Sequence, residues 1–281
     1  MSSTAITHSA NPPAARIDPD SLAALPRACG VYIFRGEGTL PLYVGKSVDI
    51  RARVRSHLRA PDEARMVAQT RRIDFIATAG ELGALLLESR LIKTLSPLFN
   101  IRLRRSRGLC TVQLAVTPKG LVPRVVSAGS VQLGLQNDLY GLFTSVRAAQ
   151  AALRALADTH GLCLGLLGLE KLTRGACFGH QLKTCLGACA GLEPRVDHDA
   201  RLLAGLQDIQ VHAWPHAGEI ELSETLDGWR QSHRINHWRH LGTWCSKSGQ
   251  YTEWPADHFD LDTYKILLRP VLQYTPSGLH V

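Results

Sequence analysis

The chain contains no run of about 18 apolar residues, which excludes a membrane-spanning helix. Its N-terminus has no continuous apolar stretch of the kind a secretion signal needs, so a cytoplasmic protein is expected. Residues 1–25 are rich in Ser, Ala, Pro and Asn instead and read as a disordered tail. The seven cysteines are an odd number with no signal before them; a disulfide framework is not expected, and a reducing compartment fits. No internal repeat and no long low-complexity tract interrupts the chain.

What is abundant is positive charge. Lys and Arg number 32 against 24 Asp and Glu, a formal net charge of +8. Such an excess points to a polyanionic partner, most often nucleic acid, although solubility alone also accounts for a basic surface. The charges cluster. Arg51, Arg53, Arg55 and Arg59 share one segment, and Arg102, Arg104, Arg105 and Arg107 share another. Arg51, Arg55, Arg59, Arg102, Arg104 and Arg105 are therefore candidate contacts to a DNA backbone.

Hydrophobic periodicity supplies the elements. "GVYIFR" (Gly30–Arg35) and "PLYVGK" (Pro41–Lys46) read as a hairpin, with Gly36 and Gly38 in the turn. Ile50, Val54 and Leu58 form one helical stripe, a short second helix spans Asp62–Gln69, and Ile73–Ala79 is a third strand. A helix follows over Glu81–Leu95, stopped by Pro97. Further on, Cys110–Val116 and Pro123–Val126 read as strands, and Ser145–Gly161 as a helix closed by its glycine. Two more helices are expected near His198–Gln207 and Asp262–Leu272.

One charge stands in the wrong place. In "LLLESRLIK" (Leu85–Lys93), the side chains of Ala84, Leu85, Leu91, Ile92 and Leu95 fall within about 60° of Glu88 around the helix. A carboxylate therefore lies in the face that should be buried. Leaving it unpaired there is costly, so something must neutralise or bind it. Other polar groups collect nearby: Tyr32 and Tyr43 on the paired strands, Lys46 behind the second, Arg53 and His57 on one helix face, and Asn100 after the Glu88 helix. Taken singly, each has an ordinary structural role; Glu88 alone breaks its own pattern.

The ordered text "GVYIFR", "LYVGKSVDIRARVRSH", "LLLESRLIKTLSPLFN" and "LYGLFTS" resembles the GIY-YIG nuclease superfamily, and within it the N-terminal nuclease of UvrC and the stand-alone excinucleases of the Cho family. The resemblance runs from about residue 26 to about residue 190. The elements and the resemblance together read as an α+β protein: a small GIY-YIG α/β domain over 26–104 (a three-stranded antiparallel sheet flanked by helices), linker strands, a helix and a cysteine-cluster segment over 105–195, and, from the residues alone, a mixed α/β C-terminal region of unknown role over 196–281. The resemblance implies metal-assisted phosphodiester hydrolysis with one divalent cation, Mg or Mn, on Glu88. Tyr43 matches the tyrosine near the attacking water, and Lys46 the lysine that supplies positive charge to it. Arg53 matches the arginine on the phosphate, Tyr32 the other signature tyrosine, and Asn100 the asparagine that closes the site. His57 stands where the UvrC pattern has tyrosine, as a phosphate ligand or a proton donor to the leaving oxygen.

Cys163, Cys177, Cys185 and Cys189 have the spacing C-x13-C-x7-C-x3-C, in which only the last pair is close enough for an ordinary structural zinc site. Four thiolates suit an iron–sulfur cluster, zinc or a set of buried thiols; the resemblance implies a [4Fe–4S] cluster. His180 reads as a bystander, and Cys29, Cys110 and Cys245 as core thiols. Asp260 and Asp262 read as helix caps rather than a metal site. No helix-hairpin-helix signature and no acidic triad is found, which favours the stand-alone type with one nuclease centre. The implied function is incision of damaged double-stranded DNA on the 3′ side of a lesion in nucleotide excision repair, after UvrA and UvrB have marked it. A restriction or mobile-element nuclease, or a silent DNA-binding module, are the competing classes.

Overall fold

The computed structural model describes residues 17–100, 109–172, 176–255 and 259–275. The first element is a short helix, α1 (Pro19–Ala23), capped by the Asp18 carboxylate, which accepts the Asp20 amide at 3.0 Å. Leu25 behind it is buried against Tyr32 and Phe34. The expected disordered tail of residues 1–25 therefore needs correction: residues 17–25 are folded, because Leu25 fills a core position. Residues 1–16 lie outside the described residues.

Then follow β1 (Gly30–Arg35), β2 (Pro41–Ser47), α2 (Ile50–Arg59), α3 (Ala64–Gln69), β3 (Arg72–Ala77) and α4 (Glu81–Leu95). The three strands form an antiparallel sheet in the order β2-β1-β3. The central strand β1 is buried on both faces, and its alternation sorts the side chains. Val31 and Ile33 pack with Val44 and Ile92 under α4. Tyr32 and Phe34 pack with Ile50 and Val54 under α2. Asp49 caps α2 through the Ala52 amide at 2.9 Å, and α4 ends at Ser96, in the left-handed region, before Pro97.

A second sheet, in the order β5-β4-β6, is made of β4 (Cys110–Thr117), β5 (Gly120–Ser127) and β6 (Leu139–Phe143). Pro123 lies in an edge strand, where its missing amide costs no ladder bond. The helices α5 (Val146–His160), α6 (Phe178–Gln181) and α7 (Arg195–Gln207) come next. Leu202 and Leu206 of α7 share a core with Leu153 and Ala157 of α5. The expected boundary between 195 and 196 thus shifts, because the apolar stripe of α7 packs on the second sheet.

The rest of the described chain is a four-stranded antiparallel sheet, in the order β10-β9-β8-β7, and a closing helix: β7 (Ile220–Leu226), β8 (Trp229–Asn236), β9 (Arg239–Cys245), β10 (Gln250–Glu253) and α8 (Leu261–Leu272). Leu82 and Leu86 of α4 are buried in one core with Leu222, Ile235, Tyr264 and Leu267. The helix α4 is therefore clasped on both sides, by the first sheet through Ile92 and by the third through Leu82 and Leu86. Among the described residues no helix is long and apolar enough to cross a membrane.

Candidate active site

Strand β2 is the edge of its sheet, so the amides on its outer side need partners from elsewhere. Two predicted site residues supply them. The Lys46 amide donates to Glu88 Oε1 at 3.0 Å. The Val44 amide donates to Asn100 Oδ1 at 2.9 Å, and Asn100 Nδ2 returns a bond of 2.9 Å to the Val44 carbonyl. Asn100 thus extends the ladder in place of a fourth strand.

On the α2 side, Tyr32 is 1% exposed, and its hydroxyl lies 2.7 Å from His57 Nε2. His57 is buried too, and its Nδ1 engages the Glu63 carboxylate in a short contact. A carboxylate only accepts, so the Nδ1 proton points to Glu63 and Nε2 is left to accept from Tyr32. The Tyr43 ring lies 5.4 Å from the His57 ring and 6.3 Å from that of Tyr32, centroid to centroid. Gly45 makes this packing possible: a Cβ there would stand 2.4 Å from the Tyr32 hydroxyl.

The electrostatics separate the roles. Burial pushes the Glu88 carboxyl above its ordinary value, and the Lys46 amide and charge only partly offset it. Glu88 has no ion-pair partner among the described residues. Burial and then the Glu88 charge push the Tyr43 hydroxyl up, opposed by Arg53. Burial does the same to Tyr32, followed by Tyr43, with Arg53 again opposing. The exposed Arg53 is the cation that both tyrosines feel. Lys46 does not fill that place, because its amine forms an ion pair with Glu81 at the start of α4. A half-buried carboxylate with no cation of its own fits a divalent ion, since a hard ion takes oxygen ligands and keeps several waters.

Arg55 and Arg59 are exposed and line a shallow surface with Ala52 and Ser56. Arg51 is spent otherwise: its Nε donates to the Leu25 carbonyl and ties α2 to the N-terminal segment. Arg102, Arg104 and Arg105 lie outside the described residues. Sequence reasoning missed Glu63 and Glu81, whose roles appear only once the turn after α2 and the start of α4 are folded. Asp260 caps α8 through the Thr263 amide at 2.9 Å and, with Asp262, holds Lys93, as a helix start predicts.

The four cysteines converge, with all their sulfurs within 4.8 Å of one another. Backbone amides point at three of them: Cys177 at Cys189 Sγ (3.4 Å), His180 at Cys177 Sγ (3.3 Å) and Gly187 at Cys185 Sγ (3.4 Å). Amide donors of this kind stabilise thiolate ligands. Burial pushes the Cys185 thiol up to about 11, so holding it as a thiolate needs a bound cation. Tetrahedral ligation of one ion at about 2.3 Å gives sulfur separations of about 3.8 Å, and a cubane cluster spreads its ligand sulfurs wider. The separations here, up to 4.8 Å, lie nearer the single-ion value, whereas four thiolates as a donor type suit either. The His180 ring is taken by the Cys185 carbonyl at 3.1 Å and stays a bystander. Cys29, Cys110 and Cys245 are half-buried free thiols.

Comparison with known proteins agrees along the chain. Residues 28–101 match the UvrC-like GIY-YIG domain, residues 93–208 the middle domain of the UvrC/Cho excinucleases, and residues 219–281 the excinuclease Cho C-terminal domain. The excinuclease Cho of Salmonella typhi is 51% identical over 265 residues, covering 92% of this chain and 89% of that one. That of Escherichia coli K12 is 50% identical over 252 residues, covering 88% and 84%. The GIY-YIG N-terminal endonuclease domain of UvrC from Thermotoga maritima, solved with its catalytic divalent cation, magnesium, is 31% identical and covers 29% of this chain and 92% of that one, with a TM-score of 0.27. Residues 28–101 form a UvrC-like GIY-YIG nuclease domain. The chain belongs to the excinuclease Cho family, and it is a metal-dependent DNA endonuclease of the nucleotide excision repair type.

Proposed function

We propose that this endonuclease cuts one strand of damaged duplex DNA on the 3′ side of a lesion, with a single divalent cation, Mg or Mn, held by Glu88. The observation that carries the reading is the meeting of two strand tyrosines, a histidine and an arginine with one unpaired carboxylate at the edge of β2. A divalent ion bound there supplies positive charge to the phosphate and to the attacking water. Arg53, exposed beside the tyrosines, neutralises charge that builds on the phosphate oxygens. Tyr43 would take the proton of the water as its phenolate; burial and the Glu88 charge oppose that form, and the charge of Arg53, with that of a bound cation, would favour it. His57 has both ring nitrogens engaged, so it orients Tyr32 and holds its proton rather than serving the leaving oxygen. Glu88 and Asn100 fix the outer edge of β2, and with it Tyr43.

The cysteine centre is read as a [4Fe–4S] cluster that braces the middle region, with Cys163, Cys177, Cys185 and Cys189 as its ligands. Support comes from the amide donors at three sulfurs and the burial of the cluster. Anaerobically purified protein should be brown and contain iron and sulfide; colourless protein with stoichiometric zinc rejects the cluster. The basic surface of α2, with Arg55 and Arg59, tracks the DNA backbone. A complex of UvrB-type protein with the damaged DNA, assembled with a UvrA-type protein, presents the substrate. The test is incision of an end-labelled duplex bearing one lesion, with and without UvrA and UvrB. A single cut 3′ to the lesion that depends on both proteins is expected. Cutting of undamaged duplex at a fixed sequence would favour a restriction-type enzyme.

A further inference from the structure

The helix that carries Glu88 has no cap of its own. Its N-cap residue is Gly80, which makes no side-chain hydrogen bond to the first turn. The amides an N-cap side chain ordinarily serves are those two and three residues on, here Leu82 and Gly83. Both are taken by one carboxylate from the third sheet: Leu82 N donates to Glu224 Oε1 and Gly83 N to Glu224 Oε2, each at 2.7 Å. Glu224 follows Leu82 by 142 residues in the chain and is only 4% exposed.

Everything around this contact is shaped for it. His233 Nε2 lies 3.3 Å from Glu224 Oε2, and its other ring nitrogen meets Thr243 Oγ1 at 2.9 Å. Gln231 of the same sheet accepts the Ala79 amide at 2.8 Å, just ahead of the helix. A Cβ at position 80 would stand 2.2 Å from Glu224 Oε1, and one at 83 only 3.2 Å from Oε2. Gly80 has an extended backbone (φ −166°) that any residue adopts. The approach of Glu224, not the backbone, requires glycine there. Buried apolar contacts of Leu82 and Leu86 hold the flank of the helix, and directional bonds to its first-turn amides add a tie along its axis.

We infer that Glu224 is a positioning residue for catalysis: the C-terminal sheet caps α4 in place of a local N-cap and so sets where Glu88 stands against the Lys46 amide. The catalytic half of this inference rests on Glu88 as the metal ligand. Active-site groups need placing within about 0.5 Å, and a misplacement of about 1 Å can cost about 100-fold. The C-terminal region thereby acts as a brace for the nuclease centre, whatever else it binds.

The test uses the full chain with Glu224→Ala, Glu224→Gln and the double variant Gly80→Ser/Glu224→Ala, in which a serine at the N-cap replaces the distant carboxylate. Three quantities are read: hydrogen-exchange protection of the Leu82 and Gly83 amides, Mn2+ affinity by electron paramagnetic resonance, and nicking as a function of Mg2+. Glu224→Ala should lose first-turn protection and bind Mn2+ about tenfold more weakly, the low end for a lost partner outside the ligand shell. Nicking should need more Mg2+, with KM for DNA unchanged. Glu224→Gln keeps the packing and one accepting oxygen; it should fall between, and it carries the test should the alanine variant fail to fold. The serine should recover a large part of the Mn2+ affinity. Unchanged Mn2+ affinity in Glu224→Ala and Glu224→Gln overturns the inference. Glu88→Ala is the control: Mn2+ binding that survives it refutes the metal assignment, while amide protection still judges the cap.

Discussion

The Tyr32 hydroxyl and His57 Nε2 lie 2.7 Å apart inside the nuclease core, and the far ring nitrogen of His57 is held by Glu63. The three groups form a chain in which each partner fixes the proton of the next. A tyrosine in this setting is held in one orientation and keeps its proton, since burial first and Tyr43 second push its hydroxyl up. Replacing His57 with Phe should therefore lower nicking by about 100-fold, the scale of a misplaced active-site group. Glu63→Gln, which leaves the ring in place but weakens control of its tautomer, should cost about 10- to 100-fold. Single-turnover nicking at saturating Mg2+ measures both, and equal rates for Glu63→Gln and the parent chain would remove Glu63 from the site.

Gly45→Ala tests the tyrosine packing. The added methyl meets the Tyr32 hydroxyl at 2.4 Å and Tyr43 Cε1 at 2.9 Å, so both rings must shift. Overpacking of this kind destabilises by about 1–3 kcal/mol, and the displaced rings should lower nicking by about 100-fold. Thermal unfolding and nicking measured on one preparation separate the two effects; a fully active variant contradicts the packing.

The acid limb of activity follows from Glu88. Burial raises its folded-state pKa above that of the unfolded chain, so on acidification the folded protein takes up the proton first. The free protein gains stability through that step, whereas cation binding, which needs the carboxylate, is lost through it. Nicking should fall as pH drops through the raised value, and more Mg2+ should move the midpoint to lower pH. A midpoint independent of Mg2+ would argue against Glu88 as its ligand.

Asp199 behaves in the opposite sense. Burial would raise its carboxyl, but the Leu121 amide, Arg195 and His198 together hold it below the ordinary value. It accepts Leu121 N at 2.9 Å and Arg195 Nε at 2.7 Å, tying α7 to β5. Its contribution to stability is complete above the unfolded carboxylate pKa and is lost as pH falls through the lower folded value. Asp199→Asn should cost about 1–3 kcal/mol at neutral pH and flatten the acid side of the stability profile. Urea unfolding at pH 7 and near pH 3 checks both.

The nuclease part of the fold was legible because its signals are local. The alternation of "GVYIFR" marks a strand buried on two faces, and the carboxylate inside the Glu88 stripe marks a departure from core packing. Lys46 shows the limit of such reading. Its neighbourhood in sequence pointed to Tyr43, but Lys46 pairs one to one with Val31 in the β1–β2 register, whereas Tyr43 pairs with Phe34, so Lys46 meets Glu81 instead. Arg51 likewise looked like the other arginines of its segment until Leu25 folded back over it. The double packing of α4 was out of reach: Leu82 and Leu86 are ordinary helix leucines, and most of their partners, Leu222, Ile235, Tyr264 and Leu267 among them, lie more than a hundred residues away in a region whose strands were read only in outline. Glu224 left no sequence signal except the uncapped glycine at the start of α4.

In the proposed mechanism Glu88 alone among the protein carboxylates of the site holds the catalytic cation. The direct measurement is single-turnover nicking by purified Glu88→Ala protein across a Mg2+ titration, with Mn2+ binding and DNA binding followed in parallel. Loss of nicking and of site-bound Mn2+, with DNA affinity retained, is the predicted result. Nicking that persists at the parent rate at any Mg2+ concentration would contradict it.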